Sequence, residues 1–150
     1  MSNLDFTFNL EATPEQLMKL SEDYEQLPKY LPDQLKSVKI LEINKNETKT
    51  EEVIAFTTIL TKEIIQQTIH KKIETNKLYT EIISGPAKGT MINTTFKKND
   101  VGTEIIFELN LKLSLKAKIL QPLIKKYYKM ILTSILYKMN NEILESTKDK

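Results

Sequence analysis

His70 is the only histidine in the chain, and the sequence holds neither cysteine nor arginine. Thiolate nucleophiles, disulfides and cysteine-based metal sites are therefore excluded. A catalytic triad or a metal centre would need carboxylates converging on His70, and no spacing signals them. His70 lies in a run, residues 64–74, that alternates like a strand, opposite in phase to Ile65, Ile69 and Ile73. That phase places the imidazole on the solvent face. Gln67 shares the phase of the isoleucines. If they face inward, Gln67 is a buried amide that needs partners from protein, water or ligand, and it could orient a ligand carbonyl or hydroxyl. A bulge in the strand would instead turn it outward.

Two tyrosines carry the other candidate polar contacts. Tyr127 falls on the apolar stripe of a C-terminal helix beside Ile124 and Ile131, where a ring is buried and its hydroxyl seeks a partner. Tyr30, in the turn Leu27-Pro28-Lys29-Tyr30-Leu31-Pro32, is placed to gate a cavity mouth or to plug a core. Glu51, Glu52, Glu74, Glu81, Glu104 and Glu108 match no acid–base motif and read as solubilising strand acids. A buried glutamate with a raised pKa would be the sign of a catalytic acid. The only glycines are Gly85, Gly89 and Gly102, too few and too scattered for a phosphate loop. No catalytic residue, metal ligand or cofactor is assigned.

All 22 basic residues are lysines and the net charge is only +2. Without arginine, sequence-specific reading of nucleic acid is disfavoured. Lys112, Lys116, Lys118, Lys125, Lys126 and Lys129 cluster around the start of the last helix. They form either a solvated face or a transient contact with an anionic membrane or RNA, worth about 1 kcal/mol per lysine at an anionic surface.

The elements that must position these residues follow from periodicity. Leu4, Phe6, Phe8 and Leu10 alternate with polar residues as a half-buried strand. Thr13, Pro14 and Gln16 give an N-cap, a first helical position and a capping box. Pro28 and Pro32 then break the chain into a short turn or helix. Strands are expected at residues 38–43, 51–57, 64–74, 78–84, 91–97 and 103–115, with a bend or bulge at 59–62. The last is clearest: Ile105, Phe107, Leu109, Leu111 and Leu113 line one face and polar residues the other, as in an antiparallel sheet covered on one side. Residues 116–146 read as a long helix that either bends at Pro122 or begins at Gln121. Its stripe drifts from Leu120, Ile124, Tyr127, Ile131 and Ile135 toward Leu132, Leu136, Met139 and Ile143. That drift fits packing on a curved sheet or a second buried face such as a dimer contact, so monomer and homodimer both stay open.

With 150 residues, 40% hydrophobic and 28% charged, residues 1–150 form one globular domain with a frayed tail at 146–150. No basic segment leads into an apolar run at the N-terminus, and no window reaches the ~18 apolar residues of a membrane span. The expectation is a cytoplasmic protein. One helix must cover a long sheet with no tryptophan and only 7% aromatic residues, so a residual apolar cavity is expected.

The stretch Tyr24-Glu25-Gln26-Leu27-Pro28-Lys29-Tyr30-Leu31-Pro32, followed by Leu35-Lys36-Ser37-Val38-Lys39-Ile40-Leu41-Glu42, resembles the coenzyme Q-binding and polyketide cyclase branch of the START-like (helix-grip, SRPBCC) superfamily. Gly85-Pro86-Ala87-Lys88 and Val101-Gly102-Thr103-Glu104 resemble further motifs of that branch, and the resemblance runs over nearly the full length. It implies an α+β helix-grip fold: an antiparallel sheet of six to seven strands gripping a long C-terminal helix, with two short helices after the first strand. It also implies a cavity between sheet and helix for a hydrophobic small molecule, a lipid, isoprenoid, quinone or polyketide-like compound. Leu27, Tyr30 and Leu31 would sit at its mouth. Ile65, Gln67, Ile69, Phe107, Leu109 and Leu111 would line it from the sheet, and Ile124, Tyr127 and Ile131 from the helix. Two other functions are compatible: a cyclase- or dehydrase-like enzyme, and a ribosome- or membrane-associated interaction protein with a filled core.

Overall fold

The computed structural model describes residues 2–56 and 63–148. Strand β1 (Ser2–Leu10) leads into helix α1 (Pro14–Ser21) and a 3-10 segment (Tyr24–Tyr30). Six strands follow: β2 (Leu35–Asn44), β3 (Glu47–Ala55), β4 (Glu63–Glu74), β5 (Lys77–Ile82), β6 (Met91–Lys98) and β7 (Thr103–Leu111). A short helix α2 (Leu115–Lys118) and a long helix α3 (Gln121–Lys148) close the chain. All seven strands form one antiparallel sheet in the order β1-β7-β6-β5-β4-β3-β2. The expected helix-grip architecture is observed. The expected bend at 59–62 and the strand end at Thr57 lie outside the described residues.

Local chemistry sets the boundaries. Thr13 caps α1 with a complete capping box: Gln16 N donates to Thr13 Oγ1 and Thr13 N donates to Gln16 Oε1. Pro122 does not kink a continuous helix. The chain forms one turn of helix capped by Ser114, breaks, and starts α3 at Gln121, so Pro122 occupies the first turn, where no amide donor is needed. The last strand ends at Leu111 rather than 115, because the residues beyond it turn to begin α2. Gly102, at φ +148°, closes the β6–β7 turn against the end of β1. A side chain there would begin 2.4 Å from the carbonyl oxygens of Leu10 and Glu11.

The core lies between the inner face of the sheet and α3. Ile105, Phe107, Leu109 and Leu111 of β7 are buried, and Phe107 packs on Phe6 of β1 with ring centroids 4.9 Å apart. Helix α3, 28 residues and about 42 Å long, crosses the whole sheet. It buries Ile124, Tyr127, Tyr128, Ile131, Ile135, Leu136, Met139 and Ile143, two adjoining stripes at helical spacing. Buried Asn140 anchors its far end: Ala12 N donates to Asn140 Oδ1, and Asn140 Nδ2 donates to Glu11.

The inner face of β4 is not the one its isoleucines suggest. Gln66 and Thr68 are buried and His70 points with them toward the core. Ile65 and Ile73 are 61% and 54% exposed, and Gln67 and Ile69 lie on the same outer face. A strand pattern of period two fixes which residues share a face but not which face is inside. Here polar residues occupy the inner face because they satisfy one another across β3 and β4, leaving the isoleucines to the outer surface. The sequence expectations for His70, Ile65, Gln67 and Ile69 are therefore reversed.

Candidate functional site

A cavity of about 180 Å³ lies between the sheet and α3. Most of its wall is hydrocarbon: Val38, Ile54, Leu78, Ile82, Ile92 and Phe96 from the sheet, and Ile131, Ile135, Leu136 and Met139 from α3. Thr94 of β6 and Ser21 of α1 line the cavity as well. A cluster of polar side chains enters from neighbouring positions on β3, β4 and β5: Thr50 and Glu52 of β3, Gln66, Thr68 and His70 of β4, and Thr80 of β5. Register brings them together, because Glu52 faces Gln66, Thr50 faces Thr68, and His70 faces Thr80.

Glu52 is the centre of this cluster and only 8% exposed. Thr50 Oγ1 donates to its Oε2 at 2.6 Å, and Gln66 Nε2 and Thr68 Oγ1 donate to its Oε1. A carboxylate offers roughly four acceptor directions, so these three bonds leave room on Oε2 for one more donor. Burial pushes the Glu52 carboxyl above the ordinary glutamate range, against the pull of its three donors. Tyr128 of α3 donates to Gln66 Oε1 at 3.4 Å, and burial together with the nearby Glu52 charge holds its phenol up and protonated.

His70 lies at the outer end of the cluster. Its ring stacks on Tyr24 of the 3-10 segment with centroids 4.2 Å apart. Nε2 is 2.8 Å from Thr50 Oγ1 and Nδ1 is 3.3 Å from Thr80 Oγ1. Burial lowers the imidazole pKa to about 4, so the ring is neutral at pH 7. Neither nitrogen contacts a carboxylate, and among the described residues no group of three or more metal-ligating side chains exists.

The other sequence candidates fall in several places. Leu27, Phe107 and Ile131 line the cavity. Leu109 and Leu111 are buried in the core beside it. Tyr127 turns away: its hydroxyl donates to Ala55 O and its ring packs on Phe56 at 4.5 Å. The residue facing the cavity is Tyr128, one position on. Tyr30 and Leu31 are buried, and Tyr30 donates to Glu142, which also pairs with Lys29 at 3.0 Å, so this turn is fastened to α3. Ile124 borders a second groove with Ile64, Pro86, Leu113, Ala117 and Leu120, and Gln66 and Tyr128 line both spaces. Gln66 and Tyr128 were not singled out by sequence, and the reading of Glu52 as a solubilising strand acid is overturned by its burial. Glu52 was nevertheless in phase with Ile54 and Phe56, and Tyr128 falls four residues from both Ile124 and Leu132.

The architecture has known counterparts. The protein TTHA0849 from Thermus thermophilus superposes with a TM-score of 0.81 over 97% of this chain and 99% of its own, at 18% identity. A START superfamily protein from Mycobacterium smegmatis matches with a TM-score of 0.76 over 95% and 97% of the two chains, at 14% identity. The chain has the START-like fold. The Zhui aromatase/cyclase from a Streptomyces species shares that fold with a TM-score of 0.76 over 95% of each chain, at 9% identity. No protein-family model and no curated protein matches the sequence. No helix among the described residues is long and apolar enough to cross a membrane.

Proposed function

We propose that the protein binds a small, largely apolar molecule carrying one hydrogen-bonding group, in the cavity between the sheet and α3. The observation that carries this reading is the convergence of Thr50, Gln66 and Thr68 on Glu52 in a cavity whose wall is otherwise mostly hydrocarbon. Size narrows the class. About 180 Å³ is close to the ~150 Å³ that holds a benzene and below the ~300–1,000 Å³ of drug-sized sites. A compound of one or two rings, or one end of a longer isoprenoid or acyl chain, fits this space. Burying an aromatic ring of ~150–250 Å² supplies about 4–6 kcal/mol before the cost of association. A hydroxyl donating to the spare site on Glu52 Oε2 would set orientation. Organic extraction of freshly purified protein tests the reading: a stoichiometric ring-bearing compound supports it. A ligand-free extract, with no uptake from a panel of phenols, quinones and isoprenoids, contradicts it. The cavity weighs against an interaction protein with a filled core.

A cyclase- or dehydrase-type reaction is the second reading of the same site. Glu52 favours it: a buried carboxyl with a raised pKa is the feature a general acid requires.

The start of the C-terminal helices supports a membrane route for the ligand. Leu115 and Ile119 are each 85% exposed and Leu123 is 50% exposed. Lys112, Lys116, Lys118 and Lys126 surround them, exposed and in no ion pair among the described residues. Lys125 is half-buried, and Lys129 lies over the Phe6 ring. An apolar tip ringed by free lysines complements an anionic bilayer. The groove behind it shares Gln66 and Tyr128 with the cavity, and parting this hydrogen-bonded pair would let a ligand pass between bilayer and cavity.

A further inference from the structure

We propose that Thr80, His70 and Thr50 form a proton relay between the half-buried end of the polar cluster and the Glu52 carboxyl, making Glu52 a rechargeable acid–base centre inside the cavity. The atoms form an unbroken line: Thr80 Oγ1 to His70 Nδ1 at 3.3 Å, His70 Nε2 to Thr50 Oγ1 at 2.8 Å, and Thr50 Oγ1 to Glu52 Oε2 at 2.6 Å. Burial is graded along it. Thr80 and His70 are half-buried, while Thr50 is fully buried and Glu52 nearly so.

A hydroxyl has one proton to donate, so the line has two self-consistent states. With Glu52 ionised, Thr50 donates to Glu52, His70 Nε2–H donates to Thr50, and Thr80 donates to Nδ1. With Glu52 protonated, every donor reverses: Glu52 donates to Thr50, Thr50 to Nε2, and Nδ1–H to Thr80. Conversion moves one proton per link. Thr50 passes its proton to Glu52 and takes the Nε2 proton, Nδ1 takes the proton of Thr80, and Thr80 takes one from solvent. The net change is one proton from water to carboxylate, and the imidazole stays neutral in both end states. The reverse shift discharges Glu52.

The relay has a function because of what fills the cavity. An apolar ligand displaces water, and the direct solvent path to Glu52 closes with it. The relay runs along the cavity wall through side-chain hydrogen bonds, from the partly exposed Thr80 and His70 to buried Thr50, and needs no water in the cavity, so Glu52 could give a proton to, or take one from, the single polar group of the ligand and then be reset. Its use on a ligand rests on the cavity reading above. The other titratable groups among the described residues lining the cavity are Tyr24, stacked on His70 from the 3-10 segment, and Tyr128 from α3. Both phenols are held protonated by burial, so neither competes as a proton acceptor near neutral pH.

The chain's single histidine makes the test direct. The 15N resonances of His70 and the 13C carboxyl resonance of Glu52 are followed against pH in ligand-free protein. The expected result is a switch of His70 from the Nε2–H to the Nδ1–H tautomer as Glu52 protonates, before the ring becomes cationic. In Thr50→Val the tautomer stops following Glu52, Thr50→Ser restores the coupling, and in Glu52→Gln the tautomer is independent of pH. One tautomer throughout the Glu52 titration, coupling that survives Thr50→Val, or a Glu52 that stays ionised until His70 is cationic would each overturn the relay. Because no ligand is present, this outcome is independent of whether the cavity binds one.

Discussion

Glu52 and Gln66 are directly opposed across β3 and β4, and Gln66 Nε2 lies 3.3 Å from Glu52 Oε1. The pair puts a carboxyl and an amide where a dry core would hold two aliphatic side chains. Such a carboxyl is costly when ionised, because its hydration is replaced only in part by three protein donors. Glu52→Gln keeps the shape and a carbonyl acceptor while removing the charge. Its folded pKa lies above the unfolded value, so the penalty applies above the folded pKa and is relieved as pH falls through it. Glu52→Gln is therefore expected to stabilise the fold at pH 8 by about 1 kcal/mol, or ~2–4 °C in Tm. The gain should shrink toward pH 4.5, and thermal melts of both proteins across that range check it.

His70 has the opposite pH signature. Its folded pKa of about 4 lies below the 6.5 of a free imidazole. Between these values the unfolded chain binds a proton that the native state refuses. Stability is retained above pH 6.5 and lost as pH falls toward 4, by up to about 3 kcal/mol. His70→Phe keeps a ring against Tyr24 but cannot titrate. It should be less stable than wild type at pH 7, through loss of the Thr50 and Thr80 bonds, and show a flatter acid limb in urea unfolding between pH 7 and 4.5.

The exposed helical tip gives a salt-dependent expectation. Binding to vesicles of phosphatidylcholine with 30% phosphatidylserine should weaken at least tenfold in Ile119→Glu and in the double variant Lys116→Glu, Lys118→Glu, with melting temperature unchanged. Raising salt should weaken the wild type as well, since exposed charges are screened over ~8–10 Å. Equal sedimentation of all three proteins would remove the membrane contact from the account.

Much of the fold was legible in the sequence because long alternating strands and a helical stripe are strong signals. The alternation of Ile105, Phe107, Leu109 and Leu111 with polar residues specified β7, and Thr13, Pro14 and Gln16 specified the start of α1. The site was less legible. Residues 64–74 alternate between two sets that each contain apolar members, Ile64 with Gln66, Thr68 and His70, or Ile65 with Gln67, Ile69 and Ile73. Hydrophobicity alone favours the second set. The inner set is fixed by cross-strand partners on β3, Thr50 and Glu52, which sequence spacing does not reveal. On α3 the adjacent tyrosines lie about 100° apart around the helix. The drift of the stripe by one residue was enough to turn Tyr128, rather than Tyr127, into the cavity.

The central claim is that a ring-sized apolar ligand with one polar group enters the cavity and meets Glu52. A fluorescence titration with 2-naphthol, and with naphthalene as its partner lacking the hydroxyl, tests it most directly. The expected result is one-to-one binding of 2-naphthol with Kd on the order of 100 µM, tighter than naphthalene. Binding should weaken at least tenfold in Ile131→Phe and in Leu136→Trp, which fill the space from α3, and the preference for the hydroxyl should fall in Glu52→Gln. Binding that persists unchanged in both filled-cavity variants, or no binding of either compound by the wild type, would contradict the account.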